Sequence, residues 1–299
     1  MHLHVLGKST LSVSGIAFGC MSLGKNDKEN AALINNAIDA GINYFDTADI
    51  YQDGFNEETL GKAVKGKRDR ILIASKVGNQ RRTDGSGALD WNPTKAHILS
   101  SVEGTLERLQ TDYLDLYQLH GGTIDDPIDE TIDAFEMLQR QGKIRYYGIS
   151  SIRPNVIREY IQRSNIVSVM MQYSLLDRRP EETCLPLLEE HNIGVLARGT
   201  LAGGLLADKP ADAYLNYTVD EVYKMSSAVH AISGMSRNAS QTALQFVLQQ
   251  SAITSAVVGI RTQQQLDDIV GAITAPALTD SEIAFLRSQI PVNYYSQHR

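Results

Sequence analysis

Cysteine is nearly absent from this sequence. Cys20 and Cys184 are the only two, too few for a disulfide framework or a cysteine-ligated zinc site. A basic surplus is also missing. With 28 Lys and Arg against 35 Asp and Glu, the net charge is -7, which argues against nucleic acid or an anionic membrane as the main partner. No apolar run is long enough to span a bilayer, and Met1–Thr10 lacks the shape of a signal peptide, so a cytoplasmic protein is expected. The seven histidines, at 2, 4, 97, 120, 191, 230 and 298, show no metal-ligand spacing such as H-E-x-x-H, and no metal site is expected. No G-x-G-x-x-G follows a strand-like run, so the phosphate-binding fingerprint of doubly wound folds is absent.

What the sequence does contain is one pattern, repeated. Short apolar runs centred near Ile16, Tyr44, Leu72, Leu116, Tyr147, Val169, Val195 and Val257 read as buried strands, and each leads into a segment with helical spacing. Continuous apolar strands alternating with helices imply a parallel sheet covered on both faces. Eight such units within 299 residues predict a single (β/α)8 TIM barrel spanning residues 1–299. Met1–Ser14 reads as an N-terminal hairpin. Gly41 and Gly142 are expected to stop helices, Pro93 to open one, and Ser240 and Thr262 to cap others. Thr279 and Glu282 have capping-box spacing at a C-terminal helix. Residues 78–92 and 208–237 are read as a polar loop and as an excursion with some helix.

In such a barrel, chemistry gathers where the strands end. Three successive strands end in ionisable residues, Asp46, Lys76 and His120, and Tyr51 follows the first of them. Each has an ordinary explanation: an acid in a turn, a lysine returning to solvent, a structural histidine, a packed tyrosine. Together at one mouth they are a site that polarises C=O and protonates an alkoxide. An ammonium near Tyr51 would lower its pKa from about 10. Lys76 can supply that charge, Asp46 can fix Lys76, and His120 can orient a carbonyl oxygen.

These residues lie within longer stretches: Gly19-Cys20-Met21-Ser22-Leu23-Gly24, Phe45-Asp46-Thr47-Ala48 with Tyr51, and Ala74-Ser75-Lys76. Thr111 through His120, Gly142-Lys143-Ile144-Arg145, Gly203-Gly204-Leu205-Leu206 and Gly259-Ile260-Arg261 follow in order. On them the chain resembles the aldo-keto reductase superfamily, in the group containing bacterial general-stress and inositol-cluster reductases and potassium-channel β-subunits. The resemblance implies one barrel binding NADPH/NADP+ across its mouth and reducing an aldehyde or ketone. Asp46, Tyr51, Lys76 and His120 would be the catalytic tetrad, with Tyr51 the proton donor.

By the same resemblance the nicotinamide would lie near Gly19, Met21, Asp46, Ser150 and Gln172. The pyrophosphate would meet Gly199, Leu201 and Gly203, and the adenosine end Gly259, Arg261, Gln265 and Asp268. Arg261 beside a helix start suits a 2′-phosphate. The sequence departs from the family pattern at several positions. Ser151 replaces an Asn, Met170 a Gln that Gln172 can substitute for, and Arg198 an aromatic, with Arg198 expected either over the nicotinamide or against a phosphate. Asp268 replaces a Glu and Ile269 an Asn at the adenine.

Two other readings stand beside carbonyl reduction: a Schiff-base lyase with Lys76 as nucleophile, and an NADPH-binding partner protein with little turnover. A small-molecule carbonyl substrate and a monomer or weak oligomer complete the expectation. The physiological substrate is not readable, because specificity in this fold resides in loops.

Overall fold

A computed structural model describes residues 1–299. The chain opens with a hairpin of β1 (Leu3–Val5) and β2 (Ser12–Ser14), paired antiparallel. The first barrel strand, β3 (Ile16–Gly19), leads through α1 (Asp27–Asp39) to β4 (Tyr44–Asp46). Then α2 (Phe55–Ala63) precedes β5 (Leu72–Val77). A second hairpin, β6 (Asn79–Arg81) with β7 (Leu89–Trp91), comes before α3 (Lys95–Leu109). The remaining strands are β8 (Leu114–Leu119), β9 (Ile144–Ser150), β10 (Ser168–Gln172), β11 (Gly194–Arg198) and β12 (Ile253–Gly259). Between and after them run α4 (Ile128–Arg140), α5 (Pro154–Arg163), α6 (Cys184–Glu190), α7 (Val219–Ala231), α8 (Ala239–Leu248), α9 (Gln263–Gly271) and α10 (Asp280–Arg287).

Strands β3, β4, β5, β8, β9, β10, β11 and β12 close into one parallel barrel, each hydrogen-bonded to its neighbours around the ring. This is the (β/α)8 TIM barrel that the repeating pattern predicts. Its apolar interior has two layers. The larger lies between strands and helices and includes Phe18, Phe45, Ile73, Phe135 and Ile149. The smaller fills the barrel lumen with Ala17, Tyr44, Ala74, Leu116, Met170 and Leu196. Leu6, Leu11 and Val13 of the first hairpin belong to this lumen cluster. Gly7 lies against the backbone of Val167 and Gly194, at the strand starts. The hairpin therefore plugs the N-terminal end and leaves the C-terminal end open. No helix is long and apolar enough to cross a membrane.

Several helix ends differ from expectation. Pro93 does not open α3; Thr94 caps it, accepting from His97 N. Asn238 caps α8 in a capping box with Gln241, in place of Ser240 two residues later. Both Asn238 and Ser240 are good cap formers, and the reciprocal bond to Gln241 selects the earlier one. Thr262 and Thr279 cap α9 and α10 as expected, and Thr218 with Glu221 boxes the start of α7 inside the 208–237 excursion. The supposed loop 78–92 carries the β6–β7 hairpin, whose residues are mostly exposed and show no apolar alternation.

Candidate active site

The four ionisable side chains converge at the C-terminal end of the barrel. Asp46 is the last residue of β4 and lies level with Gly19 on β3 and Ala74 on β5. Lys76, two residues beyond Ala74, is fully buried. Its Nζ lies 2.5 Å from Asp46 Oδ1, 2.7 Å from the Thr47 carbonyl and 3.4 Å from the Tyr51 hydroxyl. An ammonium has three hydrogens, and here each has an acceptor. Burial opposes charge on both partners, but Asp46, aided by the Tyr51 oxygen, holds the Lys76 ammonium above its ordinary range. Gln118 Nε2 donates to Asp46 Oδ2 at 3.4 Å.

Tyr51 sits in a short helical turn beyond β4. Burial pushes its phenol above the ordinary value; Lys76 pulls the other way with less force. The sequence-based expectation of a lowered Tyr51 pKa is thus corrected: lysine acts in the expected direction, but burial outweighs it. The His120 ring lies edge-on to Tyr51, with centroids 5.8 Å apart at 80°. Burial first, then Lys76 and Arg198, push His120 down to about 3, so its imidazole is neutral at ordinary pH. Its Nδ1 is buried without a hydrogen-bond partner.

Behind the tetrad lies a second buried ionic group. Glu57 of α2 is fully buried, accepts the Ser75 hydroxyl, and is held by Arg108 Nε and Nη2, both at 2.7 Å from Oε2. Arg108 comes from α3, so this group ties two helices to β5.

Above the four residues opens a cavity of about 1020 Å³, at the upper end for small-ligand sites. Tyr51, Asp46, Lys76 and His120 line its floor together with Gly19, Met21 and Ser150. One wall is the β11 exit, Arg198, Gly199, Leu201 and Gly203, and the far end is Gly259, Arg261, Gln265 and Asp268. Of the residues expected at a cofactor, Gln172 alone does not line the cavity. Its amide donates to the Tyr214 hydroxyl at 2.8 Å and accepts from Arg198 Nη1 at 3.0 Å. Gln172 ends its strand, and these partners hold it behind Gly199 rather than at the cavity surface. Met170 lines the cavity instead.

Two further lining residues are of consequence, and the sequence reading missed the first of them. Lys209 lays its stem over Gly204 and adds a cation near the Gly199–Gly203 wall. Its only signal was a lone basic residue after the glycines. Trp91, the sole tryptophan, covers the side near His120. Added side chains at Gly78 or Gly121 would lie 2.7 and 3.2 Å from its ring. Both glycines have positive φ, 126° and 146°, so the strand exits bend to seat the indole. Its Nε1 donates to Asp126 Oδ1 at 2.9 Å.

A buried Lys–Asp pair holding a phenol, next to a neutral imidazole at the base of a large cavity, is suited to proton delivery onto an oxygen. No group of His, Cys, Asp and Glu able to hold a metal is present.

Comparison with known proteins bears on the whole chain. The Aldo/keto reductase family model matches residues 15–290. This chain belongs to the aldo/keto reductase family. It is 48% identical to the uncharacterized oxidoreductase YqkF of Bacillus subtilis over 100% of both chains. It is 31% identical to probable aldo-keto reductase 1 of Glycine max, covering 96% of this chain and 88% of that one. Among solved structures, the holo form of aldo-keto reductase AKR11C1 from Bacillus halodurans superposes with a TM-score of 0.94 at 48% identity. The match covers 100% of this chain and 99% of that one. The protein is thus an oxidoreductase of this family, built on its barrel.

Proposed function

We propose that this protein is an NADPH-dependent carbonyl reductase, converting an aldehyde or ketone to its alcohol. The observation that carries the reading is the placement of the Tyr51 hydroxyl 3.4 Å from the Lys76 ammonium on the floor of an open cavity, with His120 edge-on beside it. Carbonyl reduction with a nicotinamide cofactor is typical of the family to which the chain belongs.

The residues present fit such a cofactor. The cavity runs from the tetrad to the first turn of α9, and its wall at Gly199 and Gly203 lets a ligand approach the backbone closely. Lys209 and Arg261 provide positive charge for phosphates, and Arg261 beside the α9 N-terminus favours a 2′-phosphate. When bound, the nicotinamide supplies hydride to the carbonyl carbon. His120, kept neutral, donates its N–H to the carbonyl oxygen and orients it. Tyr51 then gives its proton to the developing alkoxide, which is a far stronger base than phenolate even when burial strengthens the phenol's hold. Lys76 stabilises the phenolate left behind, and Asp46 keeps Lys76 charged and fixed. The occupied hydrogens of Lys76 disfavour the lyase reading, since a Schiff-base lysine must lose its proton to become a nucleophile.

The test is consumption of NADPH and NADH with a panel of aldehydes, ketones, dicarbonyls and quinones, with the alcohol product identified. Turnover that prefers NADPH and yields the alcohol is expected. Tight NADPH binding without turnover on any carbonyl would point to the partner-protein reading instead.

A further inference from the structure

Asp49 stands two residues before Tyr51, in the turn that carries the phenol. The Tyr51 backbone N–H donates to the Ala48 carbonyl at 3.1 Å, and the Asp49 N–H reaches the Lys76 carbonyl at 3.4 Å. Its carboxyl is half-buried: Oδ1 is shut off from solvent with no hydrogen-bond partner, and the one local donor to the group is the Ile50 backbone N–H. The ionisable groups around it come from four elements. They are Glu57 of α2, Arg108 of α3 and Lys76 of β5, with the phenol of Tyr117 on β8 also sensing its charge. Neither cation is free for it. Arg108 directs Nε and Nη2 at Glu57, and Lys76 spends its three hydrogens on Asp46, Thr47 and Tyr51. The Tyr117 hydroxyl is itself buried without a partner. A buried carboxylate with no counter-ion is costly, whereas a carboxylic acid there is tolerable.

We propose that Asp49 is a positioning residue for the reduction: its uncharged form lets the Ala48–Tyr51 turn pack inward and seat the phenol against Lys76. The inference rests on the carbonyl-reductase reading. Loss of the Asp49 proton to solvent acts in two ways. The charged carboxylate draws the turn toward water, and the 3.4 Å Tyr51–Lys76 contact is the longest of the three that Lys76 makes. The new negative charge also makes Tyr51 a weaker acid. Burial and then Glu57 push Asp49 up to about 7. Of the tetrad, His120 lies at about 3, Tyr51 and Lys76 lie above their already high ordinary values, and burial raises Asp46 against the pull of Lys76, so the Asp49→Asn comparison is what separates Asp49 from Asp46.

The experiment is the pH profile of kcat for wild type and Asp49→Asn between pH 5 and 9, with melting temperatures measured over the same range. In wild type, kcat should fall roughly tenfold between pH 6 and 8 as one proton leaves. In Asp49→Asn, uncharged throughout, that limb should vanish. The folded state keeps the Asp49 proton between the unfolded value of about 3.9 and about 7, so wild-type stability falls as pH rises through that window. The melting temperature of Asp49→Asn should therefore gain on wild type from pH 5 to pH 7 and then level off. A flat wild-type profile, an unchanged limb in Asp49→Asn, or a constant melting difference would overturn the proposal. Absence of wild-type turnover at every pH would instead remove the reductase reading, and the melting comparison would still decide how Asp49 ionises.

Discussion

The Tyr51 hydroxyl and Lys76 Nζ stand 3.4 Å apart, whereas Lys76 and Asp46 stand at 2.5 Å. Lys76 is thus anchored to the acid and leans on the phenol. That asymmetry suits a group that must stay charged while its tyrosine neighbour changes protonation state.

Removing one member of the anchored pair leaves the other buried and alone. Lys76→Met should destabilise the fold by about 3–5 kcal/mol, because Asp46 loses its counter-ion. The double variant Asp46→Asn with Lys76→Met should recover much of that loss, since no bare charge then remains. Urea denaturation of Lys76→Met, Asp46→Asn and the double variant checks this, and additive losses would contradict it.

His120 gives a pH signature opposite in sign to that of Asp49. The unfolded chain takes up a proton near 6.5, which the folded chain refuses until about 3. Folding should therefore become less favourable as pH falls from 6.5 toward 3, and His120→Asn should remove that part of the slope. Melting temperatures of the two proteins between pH 4 and 7 are the measurement.

Trp91 is the only tryptophan, so its fluorescence reports on one cavity wall. Its Nε1 is held by Asp126, which also accepts from Thr123 N and Oγ1, both at 2.7 Å. Asp126→Ala should release the indole, shift its emission to longer wavelength, and raise KM for bulky carbonyls more than it changes kcat. The hydrogen bond to a charged acceptor sets the scale, about 1.5–3 kcal/mol. An unchanged emission spectrum would show that the packing at Gly78 and Gly121 holds Trp91 unaided.

The barrel was legible because its strands are short apolar runs that break off abruptly, and three of them break off at Asp46, Lys76 and His120. Periodicity carried the helices well but not their first residues: Asn238 and Ser240 compete as caps of α8, and a reciprocal bond to Gln241 decides between them. The β6–β7 hairpin was hidden because neither strand buries a face. Other features depend on contacts between distant elements, which no local window contains. Asp49 reads as a polar turn residue, and only Glu57, Arg108 and Tyr117, brought in from α2, α3 and β8, make it a half-buried acid with no free counter-ion. The same holds for the raised Tyr51 phenol and for Gln172, drawn to Tyr214 and Arg198.

The central claim is that Tyr51 delivers the proton, and the most direct measurement compares wild type with Tyr51→Phe in carbonyl-dependent NADPH oxidation and in NADPH binding. In Tyr51→Phe, kcat should fall about 10²–10⁴-fold while the affinity for NADPH stays within a few-fold of wild type. Equal turnover in the two proteins would contradict it, and the proton would then have to come from a group other than Tyr51.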